Sequence, residues 1–298
     1  MTLEQLRIFV AVADRLHMTR AAEALHITQS AASAAVASLE ARHGTRLFDR
    51  IGRGLALTAE GRAFLPQARA VLASAQDAAG LLDDLAGLKR GRIDLAASQT
   101  IAAYWLPPRL AALSQRHPGL DLELAPGNTA QVAEAVLEGR AELGFVEGAL
   151  DNSPLLARTQ IGADRLVIVA RPDHPLARAG ERGLEGLADH AWARRELGSG
   201  TRAELEHALR GLGLDPDALP CALVLPSNEA LLAAVAAGGL IAAVSDLAAR
   251  PLIARGALDA VGPDLPTRPF HLLRHRERRL SRAAQALLAS LQETALDE

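Results

Sequence analysis

Apolar positions recur at helical spacing through the first forty residues and then change period. Leu3, Leu6, Phe9, Val10 and Ala13 form the stripe of a first helix, and Thr2 and Gln5 have the spacing of a capping box at its start. Residues 18–41, MTRAAEALHITQSAASAAVASLEA, read as two short helices joined by a tight turn at His26-Ile27. Thr19 is the expected N-cap of the first, with Ala21, Ala22, Ala24 and Leu25 as its buried side. Thr28 caps the second, in which Ala32, Ala35, Val36 and Leu39 share one apolar face. The opposite face carries Gln29, Ser30 and Ser33, then Ala34, Ala37 and Ser38. It is small, polar and almost uncharged. A helix that only faces water more often carries Glu, Lys or Arg. One that enters the DNA major groove wants close approach and an amide side chain near its N-terminus. A plain helical hairpin in an alanine-rich protein is the alternative.

His43-Gly44-Thr45 is a helix stop. Two short alternating runs, residues 46–50 and 54–58, flank Ile51-Gly52-Arg53 and predict a small hairpin beside the helix-turn-helix. Arg50 and Arg53 at its tip are placed to reach phosphate or the minor groove. Thr58 caps a long helix over residues 59–87, with Glu60 in its first turn and Pro66 as its one proline. Phe64, Ala68, Val71, Ala75, Ala78, Leu82 and Leu85 alternate spacings of four and three, a heptad seam. A helix of that length, ~43 Å, outruns a small head domain, so its stripe is expected to bury against a second copy. Packing against the rest of the same chain is the competing reading.

Residues 87–92, holding the only lysine, Lys89, read as a hinge. Beyond it strand-like and helical runs alternate: strands at 93–97, 121–124, 143–146, 165–169, 242–244 and 269–273, with helices between them and after Ser281. This order predicts two open, mostly parallel sheets with helices on their faces. The halves echo one another, Pro126-Gly127-Asn128 against Pro226-Ser227-Asn228, Val132 against Leu232 and Val136 against Ala236. A duplicated βαβ unit forming a cleft is the reading adopted, and the final strand and helix are expected to rejoin the first lobe.

Composition narrows the partners. The chain has 298 residues and a net charge of −3, but residues 1–62 hold eight Arg and six acidic residues, a net of +2 that leaves −5 for the remainder. That asymmetry fits a nucleic-acid-facing head on an acidic body. The lone Cys221 excludes a disulfide framework and a cysteine-clustered zinc site. No apolar run is long enough to span a bilayer and no leader-like segment opens the chain, so a cytoplasmic protein without membrane contact is expected. There is no Gly-x-Ser-x-Gly elbow, phosphate-binding P-loop or His-Glu-x-x-His, and Gly198-Ser199-Gly200 has no His and carboxylate spaced to activate it. His271 and His275 read as surface histidines rather than metal ligands. No enzyme activity, cofactor or metal is expected.

Ligands of open α/β sheets bind beyond the strand C-termini, at helix N-termini. In the first lobe that place is Ser98-Gln99-Thr100, with Gly127, Asn128 and Thr129 beside it; in the second it is Gly198, Ser199, Gly200, Thr201 and Arg202, with Asn228 and Ser245 near. Hydroxyls and free N–H groups converging there favour an anion or small carboxylate.

The segments LEQLRIFVAVAD, RAAEALHITQSAASAAVASLE and GTRLFDRIGRGLALTAEGR, followed by the heptad helix, resemble LysR-type transcriptional regulators. ASQTIAAYWLP, PGNTAQV and GFVEG, the last containing Glu147, look most like the branch of sulfur-assimilation and carbon-fixation regulators. The resemblance covers the whole chain. It implies an α/β protein with an N-terminal winged helix-turn-helix (1–58), a linker and dimerisation helix with hinge (59–90) and a two-lobed effector domain (91–298). That domain resembles periplasmic binding proteins, its first lobe about 91–162 and 268–298 and its second about 163–267. By matching position, Gln29, Ser30 and Ser33 would face bases or phosphates, Thr28 would cap their helix, and Arg50 and Arg53 would sit on the wing. The cleft would hold a small-molecule inducer. Ser98, Gln99, Thr100, Asn128, Glu147, Ser199, Gly200, Thr201, Arg202 and Asn228 are its candidate contacts. Implied partners are an operator duplex, the effector, a second copy through the linker helix, a pair of dimers, and RNA polymerase. The one departure is a serine-alanine recognition face without an extra cation. A solute-binding protein that captures a small anion is the alternative, and it leaves the first 90 residues unexplained.

Overall fold

The computed structural model describes residues 1–51, 54–85, 91–148, 153–179, 183–184 and 186–297, in two compact units, the first made of residues 1–85 with 138–140 and the second of the remainder. Gly52, Arg53, residues 86–90 and the side chain of Leu85 lie outside the described residues, and with them most of the expected hinge. Its last two residues, Gly91 and Arg92, belong to the first strand of the body.

In the head, α1 (Leu3–Arg15) starts on the capping box, with Thr2 and Gln5 bonded reciprocally. Its buried stripe is Leu6, Phe9, Val12 and Ala13, joined by Ile8 and Ala11, whereas Leu3 is exposed at the helix entry. α2 (Met18–Ala24) begins two residues earlier than a Thr19 cap would allow. The extended residue His17 supplies the cap, its Nδ1 accepting from the Arg20 amide at 3.4 Å, so Thr19 lies inside the first turn. Ala21 and Ala22 are buried and Ala24 is exposed. The turn to α3 (Gln29–His43) passes through His26 at φ 55°, a left-handed conformation that costs a residue with a Cβ about 1 kcal/mol.

β1 (Phe48–Ile51) and β2 (Gly54–Leu57) pair antiparallel as the expected wing. Glu40, near the end of α3, fixes the wing's root: one carboxylate oxygen accepts from the amides of Leu47 at 2.7 Å and Phe48 at 3.1 Å. Phe9 packs tilted against Phe48 and Phe64, with centroids at 5.4 and 5.1 Å, tying α1 and the wing to the next helix. That helix, α4 (Ala59–Leu85), starts on Thr58, whose hydroxyl accepts from Gly61 at 2.9 Å. Its 27 residues extend ~40 Å. Phe64, Ala68 and Leu72 pack on the head core, while Val71 and Leu82 are 42% and 69% exposed.

The body begins with β3 (Gly91–Ser98), a wide helical turn at residues 101–105, α5 (Leu106–Arg116), β4 (Leu120–Gly127), α6 (Thr129–Glu138) and β5 (Leu143–Glu147). β3 pairs parallel with both β4 and β5. β6 (Leu156–Ala170) then runs fifteen residues out of this half. The second half holds α7 (Pro175–Ala179), β7 (Trp192–Arg195), α8 (Gly200–Gly211), β8 (Cys221–Leu225), α9 (Asn228–Ala237) and β9 (Ala242–Ser245). α10 (Asp246–Ala254) and β10 (Asp259–Val261) complete it, and β11 (Thr267–His275) and α11 (Arg282–Asp297) follow. β7 runs parallel to β8, with a parallel bridge from Trp192 to Ile241 at the entry to β9.

The two open, mostly parallel sheets expected from the sequence are instead one mixed seven-stranded sheet and a separate β7–β8 pair. The large sheet has the order β10-β6-β11-β5-β3-β4 with β9 on β6, and among the described strands only β3 with β4 and β5, and β7 with β8, run parallel. β6 is antiparallel to β9, β10 and β11, and β11 is antiparallel to β5. A chain that leaves one lobe and returns beside its outgoing strand must reverse direction, which is why the joining strands are antiparallel. Their register shifts between Phe270 and His271, leaving Ile161 as the extra residue opposite. As expected, the tail rejoins the first half: Ala284, Leu287 and Leu291 are buried against Ile93, Leu95 and Leu113.

The echo between halves is real but shifted by one position. Asn128 and Ser227 are the two caps, accepting from Gln131 and Ala230, and the buried pairs are Val132 with Leu231 and Val136 with Val235. Ala236, matched to Val136 on the basis of sequence, is exposed because helix phase counts from the cap and not from the shared Asn. No helix among the described residues is long and apolar enough to cross a membrane.

Candidate functional site

On the head, Thr28 accepts from the Ala31 amide at 3.2 Å and sits 3.0 Å from the Ser30 hydroxyl, which sets the start of α3. Gln29, Ser30, Ala34 and Ala37 are exposed and Ser33 half-buried, so a shallow polar face with no bulky side chain is presented outward. Ser38 is tied back to the α1 residue Gln5 at 3.2 Å. Arg50 is exposed on β1, opposite Leu55.

The body's polar residues gather where the two halves meet. Thr100 accepts from Asn228 Nδ2 at 2.9 Å and from Arg268 Nη2 at 3.2 Å; Arg268 Nη1 donates to Thr201 at 3.0 Å. One residue from each half thus meets the guanidinium of a crossing strand. Asp164, on the other crossing strand, accepts from Arg268 Nε and Nη2 and from the Ser245 hydroxyl. Ser98, Thr100, Glu147, Ser199, Thr201, Asn228, Ser245 and Arg268 are all buried.

Glu147 ends β5 in the middle of this group. Its backbone oxygen accepts from Thr129 at 2.8 Å, its carboxylate accepts from Ser98, and its other oxygen faces Arg268 Nη1 at 3.7 Å. Burial pushes the carboxyl above the usual carboxylate range against the pull of Arg268, whose charge Asp164 already claims. Gly200 brings the start of α8 onto the end of β5: a Cβ there would lie 2.0 Å from the Glu147 carbonyl oxygen, and Gly148 beside it has φ 88°.

Not every candidate turns into the junction. Ser199 caps α8, accepting from Arg202 at 3.4 Å. Arg202 pairs with Glu206 at 2.8 Å and reaches the Arg195 carbonyl at 3.3 Å. Gln99 is half-buried. Asn128 caps α6 and reaches across to Glu196 at 3.4 Å. Tyr104 donates to Glu229 at 2.9 Å, and burial with that bond pushes its hydroxyl up to about 12. His271 is not on the surface as expected. It is 9% exposed, and its Nδ1 lies 3.0 Å from Arg158, because β11 is covered on both faces from Phe270 to Leu273, so that neither side of the strand there meets solvent. No group of His, Cys, Asp or Glu among the described residues is arranged to hold a metal.

The family described as bacterial regulatory helix-turn-helix protein, lysR family, matches residues 3–62, and the LysR substrate binding domain matches residues 86–296. The chain belongs to the LysR-type transcriptional regulators. It is 36% identical over 289 residues to the HTH-type transcriptional regulator YeiE of Escherichia coli K12, covering 96% of each chain. It is 34% identical over 294 residues to the RuBisCO operon transcriptional regulator of Allochromatium vinosum, covering 96% of this chain and 93% of that one. Among solved structures, the regulatory domain of Synechocystis CcmR in complex with 2-PG matches with a TM-score of 0.60 at 27% identity, over 69% of this chain and 97% of that one. As a LysR-type regulator the chain therefore joins a helix-turn-helix head to a two-lobed α/β effector domain.

Sequence reasoning on this LysR-type chain missed the charged centre of the junction: Arg268, Asp164 and Arg195. Arg195, 2% exposed, pairs with Glu196 through Nε and Nη2 at 2.9 and 3.0 Å. The signal was present as a charged residue inside an otherwise apolar run, in TRPFHLL, GADRLVIV and WARRE. Such residues are rarely buried unless paired.

Proposed function

We propose that this LysR-type regulator reads an operator with Gln29, Ser30 and Ser33 of α3, held by the Thr28 cap, and with Arg50 and Arg53 of the wing. Two copies joined along α4 deliver two heads to a two-fold symmetric site, and pairs of dimers and contact with RNA polymerase extend the assembly. The exposed Val71 and Leu82 on the heptad seam support pairing through α4. The lobes are taken as 91–162 with 268–298 and 163–267. A small anionic effector bound between them, facing Ser98, Thr100, Glu147, Thr201 and Asn228, changes their closure and so the disposition of the heads. The protein works in the cytoplasm, as a binding protein without catalysis, in keeping with a family of transcription regulators.

One observation carries this reading: a buried hydroxyl from each lobe, Thr100 and Thr201, meets the same guanidinium, Arg268. A polar junction of this kind responds to whatever replaces its internal bonds. A solute-binding protein would share it but would need no winged head.

Selection from random duplexes tests the head. The expected product is a two-fold symmetric site bound with a steep salt dependence, weakened by about 1–3 kcal/mol in Gln29→Ala and reduced by about one in salt slope in Arg50→Ala. Failure to enrich any sequence overturns the reading. Thr201→Val tests the cleft: it loses the effector-dependent change in footprint and keeps operator affinity.

A further inference from the structure

Hydrogen-bond accounting at the lobe junction goes beyond the presence of an effector site to its chemistry, and rests on the reading of that junction as the effector cleft. Thr100 Oγ1 accepts two bonds, from Asn228 and Arg268, so its single proton is free to donate elsewhere. Thr201 Oγ1 likewise accepts from Arg268 and keeps its proton. Arg195 Nη1 is buried without a hydrogen-bond partner. These three are donors suited to an oxyanion.

The remaining groups want the opposite. Asn228 Oδ1 is buried without a partner, on a residue with 0% exposure, and it can only accept. Glu147 receives the Ser98 hydroxyl on one oxygen, and its second oxygen stands 3.7 Å from Arg268, outside hydrogen-bond reach. The two guanidiniums nearest it are also already engaged: Arg268 is forked onto Asp164 and Arg195 onto Glu196, so neither is left to neutralise Glu147. A fully deprotonated oxyanion would meet the donors but leave Asn228 Oδ1 unpaired and set like charge beside Glu147, each costly in a buried site.

We propose that the cleft selects a small oxyanion that still carries a hydroxyl proton, with Glu147 accepting that hydroxyl and rejecting fully deprotonated anions of the same size. Glu147 is a specificity-determining residue: its carboxylate takes the ligand's O–H as Thr100, Thr201 and Arg195 take the charged oxygens, and Asn228 Oδ1 accepts any second donor.

Inorganic phosphate and sulfate isolate the effect. Both are tetrahedral and carry close to two charges at pH 7.5, and they differ in the one proton that hydrogen phosphate retains. Calorimetric titration of the full-length protein at matched ionic strength is expected to give phosphate at least about a hundredfold tighter than sulfate, since a site built around a hydrogen bond rejects the analogue lacking it by far more than a shape difference does. In Glu147→Gln the side-chain amide also donates, and the ratio is expected to collapse to within about tenfold. The wild-type ratio needs no variant, so poor folding of Glu147→Gln does not blunt the test. Equal binding of both anions, tighter sulfate binding, or a ratio untouched by Glu147→Gln overturns the role of Glu147 and leaves the cleft as an anion site. Heat from neither anion at tens of millimolar removes the anionic-effector reading and this inference together.

Discussion

Arg268 and Asp164 face each other in register across β11 and β6, joined by two parallel hydrogen bonds from Nε and Nη2, with both side chains almost wholly buried. Each belongs to one of the two strands that pass between the lobes, so the pair stitches the crossing ribbon. The bidentate geometry is the one an arginine alone can offer. Arg268→Met leaves a buried carboxylate without its partner and is expected to cost about 3–5 kcal/mol in denaturant unfolding. Arg268→Met with Asp164→Leu is expected to recover a large part of that loss, because the stranded charge goes with its partner.

Gly200 is set by a contact and not by its backbone angles. A Cβ at 2.0 Å from the Glu147 carbonyl cannot be accommodated without parting β5 from the start of α8. Gly200→Ala is expected to lower stability by roughly 1–3 kcal/mol, read as a drop in melting temperature. Gly211→Ala, at the other end of the same helix with nothing within 4 Å of its Cβ, is expected to change it by less than about 0.5 kcal/mol.

Leu82 offers a direct probe of self-association. At 69% exposure it contributes little to the isolated chain, so Leu82→Glu is expected to leave the secondary structure seen by circular dichroism unchanged, with the melting temperature falling only by what pairing supplies. Sedimentation is expected to shift toward the monomer, and operator binding to weaken about a hundredfold or more as the second head is lost. A dimer of unchanged stability would assign pairing to another surface.

His271 gives the fold an acid dependence. Burial, with the Arg158 guanidinium close by, pulls its ring down to about 4, below the ordinary 6.5. Between those values the unfolded chain binds the proton and the native chain does not, so stability falls as pH is lowered from about 6.5 to about 4 and levels off below. His271→Gln is expected to remove this component from the pH profile of unfolding while leaving the neutral-pH melting temperature little changed.

What could be read from the sequence was local. The Thr2–Gln5 box, the Thr28 and Thr58 caps and the wing each depend on residues within a few positions of one another, and all are present. Thr19 misled because an imidazole, His17, serves as an unusual cap acceptor two positions earlier. The duplicated halves were legible, but matching Asn128 to Asn228 instead of to the capping Ser227 shifted every helical position by one. The cleft's charged centre was not legible at all. Arg268 meets Asp164, Thr100 and Thr201 from 104, 168 and 67 positions away, and only the strand pairing brings them together. His271 was misplaced for the same reason, since β11 becomes an inner strand covered on both faces only through partners far away in the chain.

The long return path of β11 also governs how the body is assembled. β5 finds its outer neighbour only when residues 270–274 have been synthesised, more than 120 positions later, and β6 waits about as long for the same strand. Until then both carry bare ladder edges, which favour slow closure and off-pathway pairing between nascent chains. Excising the first lobe as a contiguous segment therefore yields a fragment missing a strand, and a fragment of the effector domain keeps its sheet intact only if it runs through His275.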